Sequence, residues 1–305
     1  MDFYFVALYF FVYGFLGWCT EVAFAAFKEH RFVNRGFLNG PLCPIYGFGV
    51  SLVVVFLTPY RSNLLFLYIA SVILVTVLEG VTGWALDKIF HNKWWDYSRM
   101  PLNIGGYVCL LFSLIWGAAC VVIMDLIHPF IHKGLAFIPH PLGVVLIVLM
   151  SILLLVDTYV TASAIFKFNR QLERMEKIAA ELHELSEQIG ENIYSGTTRV
   201  MEAADDIQEF AQDAVENLYE LRQDAAENAR EKAQTVIEDI HGRRQDTAEN
   251  IREHIEELKN RYSELNRGTG RNAKRLLRAF PSLESRKHKE RVSEIRHQLR
   301  EKLKK

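Results

Sequence analysis

The sequence predicts an all-α membrane protein, a five-span transmembrane helical bundle followed by a long cytoplasmic helical tail. Three observations carry this. Apolar residues concentrate before residue 167, in runs long enough to cross about 30 Å of hydrocarbon. The net charge of −1 averages over unlike parts, with residues 201–265 at −10 and residues 266–305 at +10. Beyond residue 167 the chain is polar and reads as helix almost throughout. The expected division is a bundle over 1–167 and an amphipathic tail over 168–305.

The first apolar run, Phe3 to Phe27, has no basic stretch before it, so it reads as a mature span and not as a cleaved signal. The second, Ile45 to Leu57, is short, because Pro59 follows at once; it crosses comfortably only if the Pro41–Pro44 region also enters the membrane. The third runs from Leu64 to about Trp84, the fourth from Gly105 to Ile127 and the fifth from Leu142 to Phe166. Alternate connections carry Lys28, Arg31 and Arg35, then Lys88, Lys93 and Arg99, then Lys167, Arg170, Arg174 and Lys177. The opposite side has only Arg61 and Lys133. Positive charge stays inside, so the N-terminus is expected outside a cell membrane and the tail in the cytoplasm. Cys19, Cys43, Cys109 and Cys120 lie in or beside apolar segments without paired spacing, as reduced thiols do.

Residues 36–49 resist a simple helical reading. Gly36, Gly40, Gly47 and Gly49 loosen a helix there, while Pro41 and Pro44 each remove a backbone donor. A backbone break near lipid is tolerated only where protein or a water-filled cavity covers it. Shifting the chain by 58 residues sets Glu21 on Glu79, Asn34 on Asn92, Gly47 on Gly105 and Val50 on Val108, which reads as a parallel internal repeat.

In the tail, units beginning at Met201, Gln212, Gln223, Gln234 and Gln245 recur every eleven residues. Eleven residues make three turns at about 3.67 per turn, so the mild apolar stripe over about 201–255 stays on one helix face. Such a stripe suits a loose coiled coil and self-association. Gly190, Gly196, Gly242, Gly268 and Gly270 are candidate hinges, and Pro281 ends the helix before it. The basic end, 266–305, is placed to meet lipid headgroups, the acidic segment or nucleic acid. Nucleic acid is the poorest fit, because Phe280 is the only aromatic residue there.

Glu21 and Glu79 are the sharpest functional candidates. An acid inside a span costs about 2.5–3.5 kcal/mol, so it faces a bundle interior and marks either a pathway or a pair. Asp125 and Asp157 are weaker candidates; Asp157 either lines the bundle or pairs with Lys167 or Arg170. Trp94-Trp95-Asp96-Tyr97-Ser98 is either an interfacial aromatic anchor or a cap over the break, with Asp96 near Arg35 or Arg99. Asn39, Tyr46 and Asn103 are candidate polar contacts for the same cavity. His128, His132 and His140 read as an external surface loop, since Pro129 and Pro139 interrupt any helical ligand spacing. No nucleotide-binding, hydrolase or zinc motif occurs in the sequence, so neither an enzyme nor a bound cofactor or metal is expected.

Gly36-Phe37-Leu38-Asn39-Gly40-Pro41, Cys43-Pro44-Ile45-Tyr46-Gly47-Phe48-Gly49 and Trp94-Trp95-Asp96-Tyr97-Ser98 are the most distinctive motifs. Phe15-Leu16-Gly17-Trp18 with Glu21, and Pro101-Leu102-Asn103-Ile104 before Gly105, accompany them. Together they resemble the CmpB-type family of ABC-transporter permeases, multipass bacterial membrane proteins, over roughly residues 5–130. The resemblance implies transport of a substrate the motifs do not name, and a separate ATPase partner. The alternative expectation is a bilayer-anchored scaffold that works through its tail.

Overall fold

The computed structural model describes residues 2–217, 249–280 and 283–304. Among the described residues the chain is all-α apart from four two-residue strands. It divides into two compact units, one made of Met1–Glu173 with Thr269–Lys305, the other of Arg174–Gly268. The helices in order are α1 (Phe3–Glu29), α2 (Pro44–Leu57), α3 (Leu64–Phe90), α4 (Leu110–Val122), α5 (His128–Ala136) and α6 (His140–Asn217). Helical backbone over 249–267 is α7, followed by α8 (Arg271–Ala279) and α9 (Lys289–Lys304). By length and composition, Phe3–Glu29, Leu64–Phe90, Leu110–Ala136 and His140–Glu191 are each able to cross a membrane, while Pro44–Tyr60 is a shorter apolar helix.

Local chemistry sets the helix ends. Asp2 caps α1, accepting from the Tyr4 amide, and Asn63 caps α3, accepting from the Phe66 amide. Both of these helices are 27 residues long and close on a histidine in the left-handed conformation, His30 and His91. The unwound segment is shorter than the sequence indicates. Pro44 is the first helical residue of α2, where its missing N–H and fixed φ fit. Gly47 and Gly49 therefore lie inside the helix. Gly47 is there for close approach: a Cβ would stand 2.5 Å from the Phe10 carbonyl oxygen of α1.

The fourth span is longer than the sequence reading and begins later. Gly105 and Gly106 belong not to it but to a hairpin joining β2 (Asn103–Ile104) and β3 (Val108–Cys109), and both have positive φ. At its far end α4 continues through a π turn, Ile123–Ile127, directly into α5. Pro129 falls in the first turn of α5, where it does not break the helix. His128 and His132 consequently face the bundle and not an external loop. Tyr13 Oη lies 2.9 Å from His128 Nδ1, and Tyr9 Oη lies 2.5 Å from His132 Nδ1. His140 opens α6 and stacks on Tyr4.

The main core joins α1 to α5 through Leu8, Tyr9, Val53, Val54, Leu67 and Met124, all buried. A second cluster packs Leu38 and Leu42 of the unwound segment between Phe11 of α1 and Ile147, Met150 and Leu154 of α6. Residues 269–305 are compact with this half. β4 (Glu284–Ser285) pairs antiparallel with β1 (Asn92–Lys93), and Ala279 packs on Ala25 and Val33.

In the second unit, α6 passes Gly190 and Gly196 without interruption, and α7 stops at Gly268. His254 Nε2 lies 3.2 Å from Glu181 Oε1 there. Most of the eleven-residue repeat, from 218 to 248 and with it Gly242, lies outside the described residues, as does Pro281.

The α1–α2 contact generates a test. Gly47→Ala should destabilise the protein by about 1–3 kcal/mol, the usual range for overpacking. Gly134→Ala, where a Cβ meets nothing within 4 Å, should leave the melting temperature in detergent unchanged or slightly raised. Equal melting of both variants and wild type would show that the close approach at Gly47 is not limiting.

Candidate functional site

The unwound segment between α1 and α2 is a hub of polar contacts. Asn34 organises its first half: its Oδ1 accepts from Trp18 Nε1 at 2.8 Å and from the Gly36 amide at 3.2 Å, and its Nδ2 donates to the Asn39 carbonyl at 2.7 Å. Asp157 on α6 holds the second half. Its carboxylate accepts from the Asn39 amide (3.2 Å), Asn39 Nδ2 (2.9 Å) and the Gly40 amide (2.7 Å), with Thr161 Oγ1 donating at 3.3 Å. Asp157 thus binds the segment and not Lys167 or Arg170. The Cys43 amide donates to the Gly14 carbonyl of α1 at 2.9 Å, fixing the approach to α2. Two carbonyls, those of Gly36 and Phe37, accept from Arg275 of α8 at 2.8 and 2.9 Å.

Glu21 faces the start of α2. Tyr46 donates to its Oε1 at 2.6 Å, while Arg35 Nε lies 3.2 Å from its Oε2 as an ion pair outside good hydrogen-bond geometry. Arg35 also stacks over Phe24, and Trp116 of α4 meets the edge of Tyr46. Glu79 on α3 is 8% exposed. Tyr97 donates to its Oε1 at 3.2 Å, and its Oε2 is buried without a partner. Burial, then the charge of Glu79, push the Tyr97 phenol above its usual range, with the charge of Glu21 among the smaller contributors. Each glutamate is thus bonded to a phenol from a later segment, Glu21 to Tyr46 and Glu79 to Tyr97.

Asp96 and Asn103 are built into the hairpin loop, away from Glu21. Asp96 accepts from the Ser98 amide (3.0 Å) and hydroxyl, and pairs with Lys93 at 3.5 Å, not with Arg35 or Arg99. Burial alone would raise the Asp96 carboxyl; the bonds from Ser98 and the Lys93 charge outweigh it and hold it below the ordinary range. Asn103 donates to the Met100 carbonyl at 2.8 Å and accepts from the Gly106 amide at 3.1 Å. Trp94 is buried between Phe37 and Phe280, each 5.0 Å away. Its neighbours are those of a cap over the unwound segment. Asp87, also buried, accepts from the Tyr107 hydroxyl at 2.5 Å and pairs with Arg286.

Of the residues the sequence singles out, the structure joins Glu21 to Tyr46 and, separately, bonds Glu79 to Tyr97. It ties Asn39, Gly36 and Gly40 to a neighbouring network, with Pro41 between them and α2. Sequence reasoning underrates Asp157, names Tyr97 and Asn34 only within a motif and a repeat, and leaves out Arg275. An acid in the middle of an apolar run is the signal for Asp157. Nothing in the local sequence marks Arg275, since its partners are 239 and 238 residues away.

Because Asp157 meets several donors at once, Asp157→Ala should be among the most damaging single changes in the bundle. Leaving two segment amides buried and unmet costs about 1–3 kcal/mol each. The loss should appear as a lower melting temperature in detergent and early aggregation on gel filtration. Asp157→Asn, which keeps one acceptor oxygen, should lose less. Wild-type melting of Asp157→Ala would mean the network does not hold the segment.

Residues 8–162 match the CmpB-type family described as Putative ABC-transporter type IV. No curated protein and no solved structure matches the chain. The matched stretch covers about half of the sequence and contains α1 to α5, the start of α6, both glutamates and Asp157. On that match the chain belongs to this family of ABC-transporter-related multipass membrane proteins.

Proposed function

We propose that the chain is a transporter permease subunit whose polar pathway opens toward the cytoplasm between α1, α2, α3 and the loop over 91–109. Glu21, Tyr46, Glu79 and Tyr97 line it, with Arg35 balancing the charge of Glu21. The observation that carries this reading is the half-satisfied Glu79, a buried carboxylate on an apolar helix with one phenol donor and one oxygen unmet. A buried acid with spare capacity is expensive to keep and marks a place where something else binds.

In this reading α2 is the fifth crossing. Pro44–Tyr60 reaches about 25 Å, short of about 30 Å, and the 36–43 segment supplies the remainder at membrane depth. Unwound backbone at a substrate site recurs in transporters. The loop charges put the N-terminus outside and residues 28–35, 88–99 and 167–177 in or near the cytoplasm. The family description supports coupling to a separate ATPase, and the chain itself acts as a carrier and not as an enzyme.

A mild-detergent pull-down of the full chain should bring down a nucleotide-binding ATPase in stoichiometric amount. In proteoliposomes of that complex, Glu79→Gln should lower flux at least about tenfold, the effect of about 1.4 kcal/mol at the rate-limiting step. Its melting temperature should be unchanged or higher. Full flux in both Glu79→Gln and Glu21→Gln, with normal folding, would remove the proposed pathway.

A further inference from the structure

The unwound segment sorts its backbone groups by sign: its amides at Asn39 and Gly40 go to Asp157, while its carbonyls at Gly36 and Phe37 go to a cation. That cation is Arg275. Its two terminal nitrogens each bond one carbonyl, and its Nε is buried without a partner. Among the described residues no carboxylate reaches ion-pair distance of it. Burial lowers its affinity for a proton and Asp157 works the other way, so Asp157 lies within electrostatic range of the guanidinium.

The parts that build the cradle, Gly36, Phe37 and Asp157, all fall inside the family match over 8–162, whereas Arg275 falls outside it. The cradle is thus made by the bundle, and the group that fills it arrives on a distant segment. Two carbonyls spaced to accept one terminal nitrogen each suit a planar organic cation such as the guanidinium they hold. Unwound carbonyls are a recurrent way of receiving a cation within a membrane bundle.

We propose that the Gly36–Phe37 carbonyls with Asp157 form a binding site for an alkylguanidinium or primary ammonium, which Arg275 occupies as a tethered stand-in. A free cation of this class competes with Arg275 and releases residues 269–280 from the bundle. This goes beyond the permease reading and does not depend on it, because the site is separate from Glu21 and Glu79 and its test involves no flux.

The test uses the full chain in detergent, with methylguanidinium as probe and methylurea as its neutral counterpart. Arg275→Ala should melt below wild type and recover most of the loss saturably in methylguanidinium but not in methylurea. Adding Asp157→Asn to that variant should remove the recovery. In otherwise wild-type protein, a cysteine pair at Val33→Cys and Ala279→Cys, positions packed in one cluster, should crosslink more slowly as the probe is added. At about ten times the dissociation constant, mass action raises the released fraction relative to the docked one about tenfold. Equal recovery in methylurea, no recovery in a folded Arg275→Ala protein, or crosslinking indifferent to the probe would each overturn the proposal. If Arg275→Ala does not fold, Arg275→Gln is read by the same criteria.

Discussion

An unwound backbone beside lipid must have its amides and carbonyls answered by protein, because no water is there to do it. Residues 34–43 meet that demand with donors and acceptors drawn from all over the chain. Trp18 and Gly14 come from α1, Asp157 from α6 and Arg275 from α8. Asn34 contributes twice from within the segment itself. Asp157 and Arg275 are far from the segment in sequence, so its shape depends on α6, and α8 adds a cation to its carbonyls. The seating of the connection between α1 and α2 rests on this one requirement.

The acids of the bundle, half-buried at Asp157 and Glu21 and buried at Asp87 and Glu79, then differ in what meets them. Asp157 has donors from Asn39, Gly40 and Thr161, and Glu21 has a phenol and a guanidinium. Asp87 has a phenol and Arg286, both on Oδ2, while its Oδ1 is buried without a partner. Glu79 has a single phenol. Glu79 and Asp87 each keep one buried oxygen without a partner, and of the two only Asp87 has a cation on its other oxygen among the described residues.

The helix pattern was plain in the sequence because apolar length is a strong signal, and Glu21 and Glu79 stood out because charge in an apolar run is rare. The unwound segment was legible as a disturbance from its glycines and prolines, but not in extent. Proline reads the same whether it breaks a helix or begins one, and Pro44 begins one. His128 and His132 were misread for the same reason: Pro129 looked like a loop, and the π turn that lets it follow α4 has no sequence signature. Asp96 and Asn103 were drawn to the cavity by their residue types, whereas hairpin geometry claims them both. The seating of residues 269–305 was not legible at all, since it depends on contacts more than 170 residues apart, such as Arg286 with Tyr107.

Along α1 the polar contacts gather at the two ends. Tyr9 and Tyr13 meet the histidines at one, Glu21 meets Tyr46 at the other, and Gly14 and Gly17 press the middle against Leu42 and Tyr46. On the transport reading, that glycine-lined seam is the barrier, because α1 and α2 leave no room there even for a methyl group. Parting the helices would break the bond from the Cys43 amide to Gly14 and the bond from Tyr46 to Glu21 in one movement. Freeing Glu21 from Tyr46 leaves it with Arg35 alone. On that reading the barrier and Glu21 are mechanically one device: opening the seam exposes carboxylate capacity at the moment a passage forms.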